Sequence, residues 1–234
     1  MESASAKRGH IGAWLVHIYT ASGAVFAFAA AWGVVHGNDR LAWASIFAAM
    51  IVDSTDGAFA RRADVKRVLP AIDGGRIDDL VDYLTFVFVP MLLLEAAGGL
   101  YRSGLPAVAV VLVSSLYGFV APDAKTPDAF FTGFPSYWNV VVLYLLLFHI
   151  PPAWNAVILL LFSGLIFVRI GYVYPSRTPA FRGLTLTLGG VWAVMLAVII
   201  ARWPSPPRPL AIASLGFPVY YFVLSFWLHA RRAR

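Results

Sequence analysis

The chain of 234 residues contains no cysteine. Disulfides and thiolate metal sites are therefore excluded, and redox compartment cannot be read from it. Charge is scarce too. Asp, Glu, Lys and Arg make up 13% of the residues, against roughly a quarter in a soluble domain. The deficit is filled by apolar residues, at 60%, with a mean hydropathy of +0.74. They lie in long runs, the pattern of membrane-spanning helices. The first run, from Ile11 to about Val35, is too long for a signal-peptide core and has no clear small-residue cleavage site, so no cleavable signal is expected. The sequence shows no internal repeat, no low-complexity tract and no soluble domain.

A helix needs about 20 apolar residues to cross a bilayer core. Eight segments qualify: Ile11–Val35, Leu41–Arg61, Ile77–Ala97, Leu105–Ala121, Tyr137–Ile150, Pro152–Val173, Leu184–Ala201 and Leu210–His229. The expected fold is an all-α, polytopic membrane helix bundle in a single domain, residues 1–234. The fifth span is short, so it starts earlier or thins the bilayer. Gly and Pro punctuate the connections at His36–Gly37–Asn38, Gly98–Gly99, Pro151–Pro152, Pro175 and Pro204–Pro207. The net charge of +6 could signal nucleic acid, but its placement argues for topology instead. With eight spans and the N-terminus inside, 14 of the 18 basic residues fall on the inner side. Only Arg40, Arg102, Arg202 and Arg208 fall outside. That asymmetry predicts both termini, and the loop from Arg61 to Arg76, in the cytoplasm.

Most of the aspartates fall between Asp53 and Asp82. Asp53 and Asp56 are three apart and share a face of the second helix; Asp78 and Asp82 are four apart and share a face of the third. A short loop joins the two, so they are expected to be antiparallel neighbours. Four carboxylates then converge near the inner boundary, at a cost in repulsion and desolvation that a hard divalent cation relieves. The alternative is a structural network with Arg61, Arg62 and Arg76. Gly57 and Ala60 allow a ligand close to the helix backbone, or close helix packing. Arg61 is placed to pair with a phosphate.

The pattern Asp53-x2-Asp56-Gly57-x2-Ala60-Arg61, then Gly74-x3-Asp78-x3-Asp82, resembles the CDP-alcohol phosphotransferase family at every position of its motif. The spacer, Arg62 to Asp73, is longer than in most members. That spacer, the eight spans and the segment Phe134-Pro135-Ser136-Tyr137-Trp138-Asn139 are similar to the bacterial phosphatidylcholine synthase branch. The likeness fades after about Gly190, among the additional helices near residues 184–229. The resemblance implies an enzyme of the bacterial inner membrane, often a homodimer, with its site facing the cytoplasm. It implies two divalent ions, Mn²⁺ or Mg²⁺, held by Asp53, Asp56, Asp78 and Asp82, with Asp82 also the general base. Gly57, Ala60, Arg61 and Gly74 would approach the CDP group. The partners implied are CDP-diacylglycerol, choline and membrane lipids. The reaction implied gives phosphatidylcholine and CMP.

Choline offers no ammonium hydrogen-bond donor, so aromatic faces are expected to hold it. Tyr83, Tyr137 and Trp138 are the candidates, against a role as interfacial anchors. His17, Tyr19, Thr20 and Ser22 of the first span either touch the nucleotide or bond between helices. Arg169 and Arg177, placed at the inner end of the sixth span, either hold an acceptor phosphate or serve topology. Asp79 points about 100° away from Asp78 and stays outside the metal set. Glu95 and His149, near outer ends, carry no role. Two other readings remain open at this point. A sister enzyme would use serine, inositol, inositol phosphate or glycerol phosphate. A cation transporter would use the aspartates as an ion path, which leaves Gly57, Ala60 and Arg61 unexplained.

Overall fold

A backbone inside a bilayer has no water to bond, so its N–H and C=O groups must be satisfied within the chain. The computed structural model describes residues 4–101 and 104–232, with side chains from residue 9 onward in the first helix. Helices meet that demand over 74% of it. Of the basic residues used to orient the chain, Arg102 and Arg234 lie outside the described residues, as do the side chains of Lys7 and Arg8.

Helix α1 runs Ala4–Val35. Its buried positions, Ala13, His17, Thr20, Gly23, Ala27 and Ala30, recur at helical spacing; Ile11, Leu15, Ile18, Val25 and Phe28 face outward. Small and polar residues inside, large apolar ones outside, is the order expected in lipid, where close packing and hydrogen bonds hold helices together. The turn after α1 has Gly37 at φ +66°, a conformation glycine adopts without penalty. Asn38 then caps helix α2, Asp39–Arg62, accepting from the Leu41 N–H at 3.0 Å. The two helices form a long antiparallel hairpin.

A single turn, α3 (Val65–Val68), leads to Asp73, which caps helix α4, Gly74–Asp82, through the Gly75 and Arg76 N–H groups. The helix continues as a π-helical segment, Tyr83–Phe88, and as α5, Val89–Ala96. Pro90 cannot donate to the ladder. Just ahead of it the ladder is wound wider, with the Val89 N–H on the Leu84 carbonyl. The wide turn begins at the residue after Asp82.

Helices α6 (Leu105–Val120), α7 (Trp138–Leu147) and α8 (Pro152–Ile166) follow, then α9 (Arg182–Ala201), α10 (Arg208–Ser214) and α11 (Gly216–Arg232). Among the described residues, three stretches are long and apolar enough to cross a membrane: Gly9–Val35, Arg182–Ala201 and Arg208–Arg232. The other helices are shorter or carry acidic and basic residues. Helix α7, at ten residues, is about 15 Å long, half a bilayer core.

Two expectations are corrected. The sixth span does not stay helical to Val173: α8 stops at Ile166, and Arg169 lies in a loop. The fold is also not purely α. Strands β1, Phe130–Thr132, and β2, Gly171–Val173, pair antiparallel, with Phe131 opposite Tyr172. The cause is local. The Gly133 N–H bonds the Ile170 carbonyl at 2.9 Å and the Phe134 N–H the Leu165 carbonyl at 3.0 Å, so the α6–α7 connection caps the end of α8. Gly133, at φ +77°, sits so close that a Cβ there would lie 2.1 Å from the Ile166 carbonyl oxygen.

Helix α11 closes the free edge of β2. The Gly171 N–H donates to His229 Nδ1 (3.1 Å), the Val173 N–H to Ser225 Oγ (3.1 Å), and Tyr221 Oη to the Val173 carbonyl (3.0 Å). At the other end of the molecule, Arg40 donates to the Trp203 carbonyl at 2.8 Å, and Asn155 donates to the Gly99 carbonyl at 2.7 Å.

Candidate active site

The acidic residues are delivered by the C-terminal half of α2 and by the middle and end of α4, both helices packed on α1. Asp53, Asp78 and Asp82 come together, each offering a carboxylate oxygen within 4.8 Å of the others. Asp56 is not in that group. It is buried and accepts a hydrogen bond from Thr20 of α1 at 2.8 Å, yet stays within electrostatic range of Asp53, Asp78 and Asp82. The expected cluster of four is therefore three plus one, because the Asp56 side chain turns to α1.

The donor set suits a hard divalent cation, which takes carboxylate oxygens. One atom adds to that fit: Asp82 Oδ1 is buried and has no hydrogen-bond partner. Such an atom is costly unless something pairs with it.

The glycines of the motif are close-approach points. At Gly74 a Cβ would stand 2.9 Å from His17 Cε1 and 3.2 Å from His17 Nδ1, so His17 lies directly on the start of α4. The Arg61 guanidinium folds back along α2, with Nη1 3.3 Å from where a Gly57 Cβ would be. Gly57, Ala60 and Gly74 are each partly exposed. In the first helix, Tyr19 bonds Thr55 at 2.8 Å, Thr20 bonds Asp56, and Ser22 bonds the Tyr19 carbonyl. Tyr19 and Thr20 thus make helix–helix bonds. His17 Nε2 is buried without a partner.

The aromatic candidates separate. Trp138 is 0% exposed, packed on Phe134 and Phe162 with its indole N–H on Ser115 Oγ at 2.8 Å. It has no surface to offer a ligand. Tyr83 donates to the Leu112 carbonyl at 3.1 Å and packs on Phe119. Tyr137 is half-buried and lies in the electrostatic range of Asp53 and Asp82. Behind it stands Tyr221; beside it Phe131, which stacks on Tyr174 at 4.5 Å.

Tyr174, Phe131 and Lys125 were not singled out by sequence reasoning, and all three sit at this site. Tyr174 feels the charges of Asp53 and Asp78. Lys125 Nζ is 3.3 Å from Asp79 Oδ1 and 4.0 Å from Asp78 Oδ2. Burial alone would depress the Lys125 ammonium, but Asp79 and Asp78 outweigh it and hold its pKa above the ordinary value. The weak signal for Lys125 and Phe131 was the connection they share, one lysine among aromatics beside the Phe134–Asn139 segment; Tyr174, which follows β2, had none. Of the two arginines considered for an acceptor phosphate, Arg169 pairs with Asp123 at 2.9 Å. Arg177 lies over the Tyr174 ring at 5.3 Å.

A helical protein with membrane-compatible spans, carrying this motif on two adjoining helices with its carboxylates converged, belongs by class among the CDP-alcohol phosphotransferases. No protein-family model matches the chain. Curated relatives do. The phosphatidylcholine synthase of Legionella pneumophila is 34% identical over 226 residues, covering 93% of this chain and 89% of the relative. That of Pseudomonas aeruginosa is 33% identical over 220 residues, covering 94% and 92%. That of Bradyrhizobium diazoefficiens is 39% identical over 189 residues, covering 78% and 69%. The chain belongs to the phosphatidylcholine synthase family.

Proposed function

We propose that this chain transfers the phosphatidyl group of CDP-diacylglycerol to choline, releasing CMP and phosphatidylcholine. The observation that carries the reading is the convergence of Asp53, Asp78 and Asp82 in a chain that aligns with phosphatidylcholine synthases over most of its length. The choline oxygen attacks the phosphatidyl phosphorus, its proton passes to Asp82, and the bond to the CMP oxygen breaks. Asp82 serves as base because its Oδ1 has a free lone pair in a buried setting. Asp53, Asp78 and Asp82 would hold a divalent ion, Mn²⁺ or Mg²⁺, with Asp56 contributing to a second. Such ions neutralise the diphosphate and stabilise the leaving oxygen. Gly57, Ala60 and Gly74 let the CDP group approach backbone, and Arg61 pairs with its phosphate.

Tyr137, Tyr174 and Phe131 form the surface for the trimethylammonium group, through cation–π attraction. A phosphorylated acceptor would need free guanidinium groups, and Arg169 is held by Asp123. That favours choline over inositol phosphate or glycerol phosphate. Membership of a synthase family weighs against a cation transporter.

Eight passes with both termini in the cytoplasm fit the contacts between chain connections. In that arrangement the Lys125 loop, the start of α4, the Gly171 loop and the end of α11 share the inner side, and they touch one another. Arg40 with Trp203, and Gly99 with Asn155, share the outer side and likewise touch. The site then faces the cytoplasm, at the inner membrane, where lipid tails stay in the bilayer and choline arrives from water. A homodimer belongs to the same proposal. The test is expression in a bacterium that makes no phosphatidylcholine. Cells fed labelled choline should yield labelled phosphatidylcholine, and an Asp82→Asn variant should not. Unlabelled lipid from cells that express the wild-type chain would overturn the reading.

A further inference from the structure

Lys125 lies outside the motif, yet its charge reaches every aspartate of the site. It acts on Asp53, Asp56, Asp78 and Asp82 as well as on its partner Asp79. Its backbone is not loose. Lys125 bridges to Phe131, the Thr126 N–H bonds the Phe130 carbonyl at 2.8 Å, and the Thr132 N–H bonds the Ala124 carbonyl at 3.1 Å. This hairpin is joined to β2 through β1 and is pinned again by Arg232, which pairs with Asp128 and lies 4.2 Å from the centre of the Phe130 ring. The fold thus presents a lysine to the acidic site from a fixed support, on a flexible four-carbon stem. Its side chain remains 48% exposed, so the ammonium has room to turn.

The ammonium and a divalent ion compete for the same carboxylate, Asp78. Once an ion takes Asp78, the lysine keeps only Asp79 and faces a cation on its other side, a setting that favours a further anion. The anion that must arrive there, on the reading above, is a diphosphate, and lysine binds phosphate as a point charge. We propose that Lys125 is a second diphosphate-binding cation of this site beside Arg61, resting on Asp78 and Asp79 when Asp78 is free and turning to the diphosphate of the CDP-lipid when a divalent ion holds Asp78. The inference rests on the proposed function only in taking a CDP-lipid as the donor; it does not depend on the acceptor.

The two roles give effects of opposite sign in one variant. Purified protein is compared with its Lys125→Gln and Lys125→Arg variants. Mn²⁺ binding is first measured without substrate, from the loss of the free-ion electron paramagnetic resonance signal. Lys125→Gln removes the competitor and should bind Mn²⁺ more tightly, by about 2- to 5-fold. Binding of CDP-diacylglycerol is then measured at saturating Mn²⁺ with no acceptor present. Here Lys125→Gln should be weaker by about 10- to 100-fold, the size of a lost charge-assisted hydrogen bond. Lys125→Arg keeps the charge and should stay within about 3-fold of wild type in both assays. Wild-type affinity for CDP-diacylglycerol in Lys125→Gln overturns the proposal. So does weaker Mn²⁺ binding in Lys125→Gln, or an arginine variant that behaves like the glutamine one. None of these measurements involves choline, so a wrong acceptor leaves them intact. If the wild-type chain binds no CDP-diacylglycerol, the proposed function itself fails.

Discussion

Gly23 is where α1 meets the helix that carries Asp78 and Asp82. A Cβ at Gly23 would lie 2.3 Å from Val81 Cγ1, when carbon atoms rest at about 3.5–4.0 Å. The Gly23→Ala variant must therefore open a gap of more than 1 Å or turn Val81. A β-branched side chain in a helix has one strongly preferred χ1, so part of the strain passes to the backbone. Overpacking of this kind costs about 1–3 kcal/mol, against about 1 kcal/mol gained by replacing glycine inside a helix. The expected net loss is about 0–2 kcal/mol. The effect on turnover should be larger, because Val81 lies between Asp78 and Asp82 and a misplacement near 1 Å can cost about 100-fold. Val81→Ala removes the obstructing methyl groups. The Gly23→Ala/Val81→Ala pair should therefore be more stable than the sum of its single variants by about 1–3 kcal/mol. It should also recover activity to within about 5-fold of Val81→Ala alone. The assays are unfolding in detergent and CMP release with choline. Additive effects in both, or a Gly23→Ala variant with full stability and full turnover, would show that α1 and α4 do not pack as described.

Asp82→Asn should lower turnover by about 100-fold or more while CDP-diacylglycerol still binds; Asp53→Asn should instead weaken Mn²⁺ and CDP-diacylglycerol binding together, and steady-state kinetics with binding titrations separate the two. Tyr174→Ala should raise the choline Michaelis constant by about 3- to 30-fold with little change for CDP-diacylglycerol. Trp138→Ala should cost about 3–5 kcal/mol of stability without favouring either substrate. Equal choline constants in wild type and Tyr174→Ala would move the search to Tyr137 and Phe131. A reporter after Arg234 should lie in the cytoplasm and one inserted at Ser205 outside; both on one side would break the eight-pass arrangement.

The motif aspartates were legible because helical spacing alone puts Asp53 with Asp56 and Asp78 with Asp82 on shared faces. Spacing cannot tell which way a side chain turns within that face. Asp56 turns to Thr20 because a buried carboxylate takes a nearby hydroxyl, and Thr20 is 36 residues away in sequence. Most helices were legible from apolar runs. The α8 error arose because Ile170–Val173 is as apolar as a helix end, and only the distant Gly133 connection makes it a strand. Trp138 shows the same limit. A tryptophan next to a polar segment reads as a surface ring, but Ser115 on another helix takes its N–H and the core takes its face. Lys125 and Tyr174 join the site through the two-stranded ribbon, a pairing across about 40 residues that no local pattern announces.

The central claim is that a CDP-activated lipid and choline meet at Asp53, Asp78 and Asp82. The most direct test is CMP release by the purified protein from CDP-diacylglycerol, with choline, serine, inositol or glycerol phosphate as the acceptor. Each is run with chelator, then with Mn²⁺ or Mg²⁺ restored. Choline alone should support rapid CMP release, with phosphatidylcholine formed in equal amount; the chelator should abolish it, and the metal should restore it. Faster release with another acceptor, or full turnover with choline in excess chelator, would contradict the account.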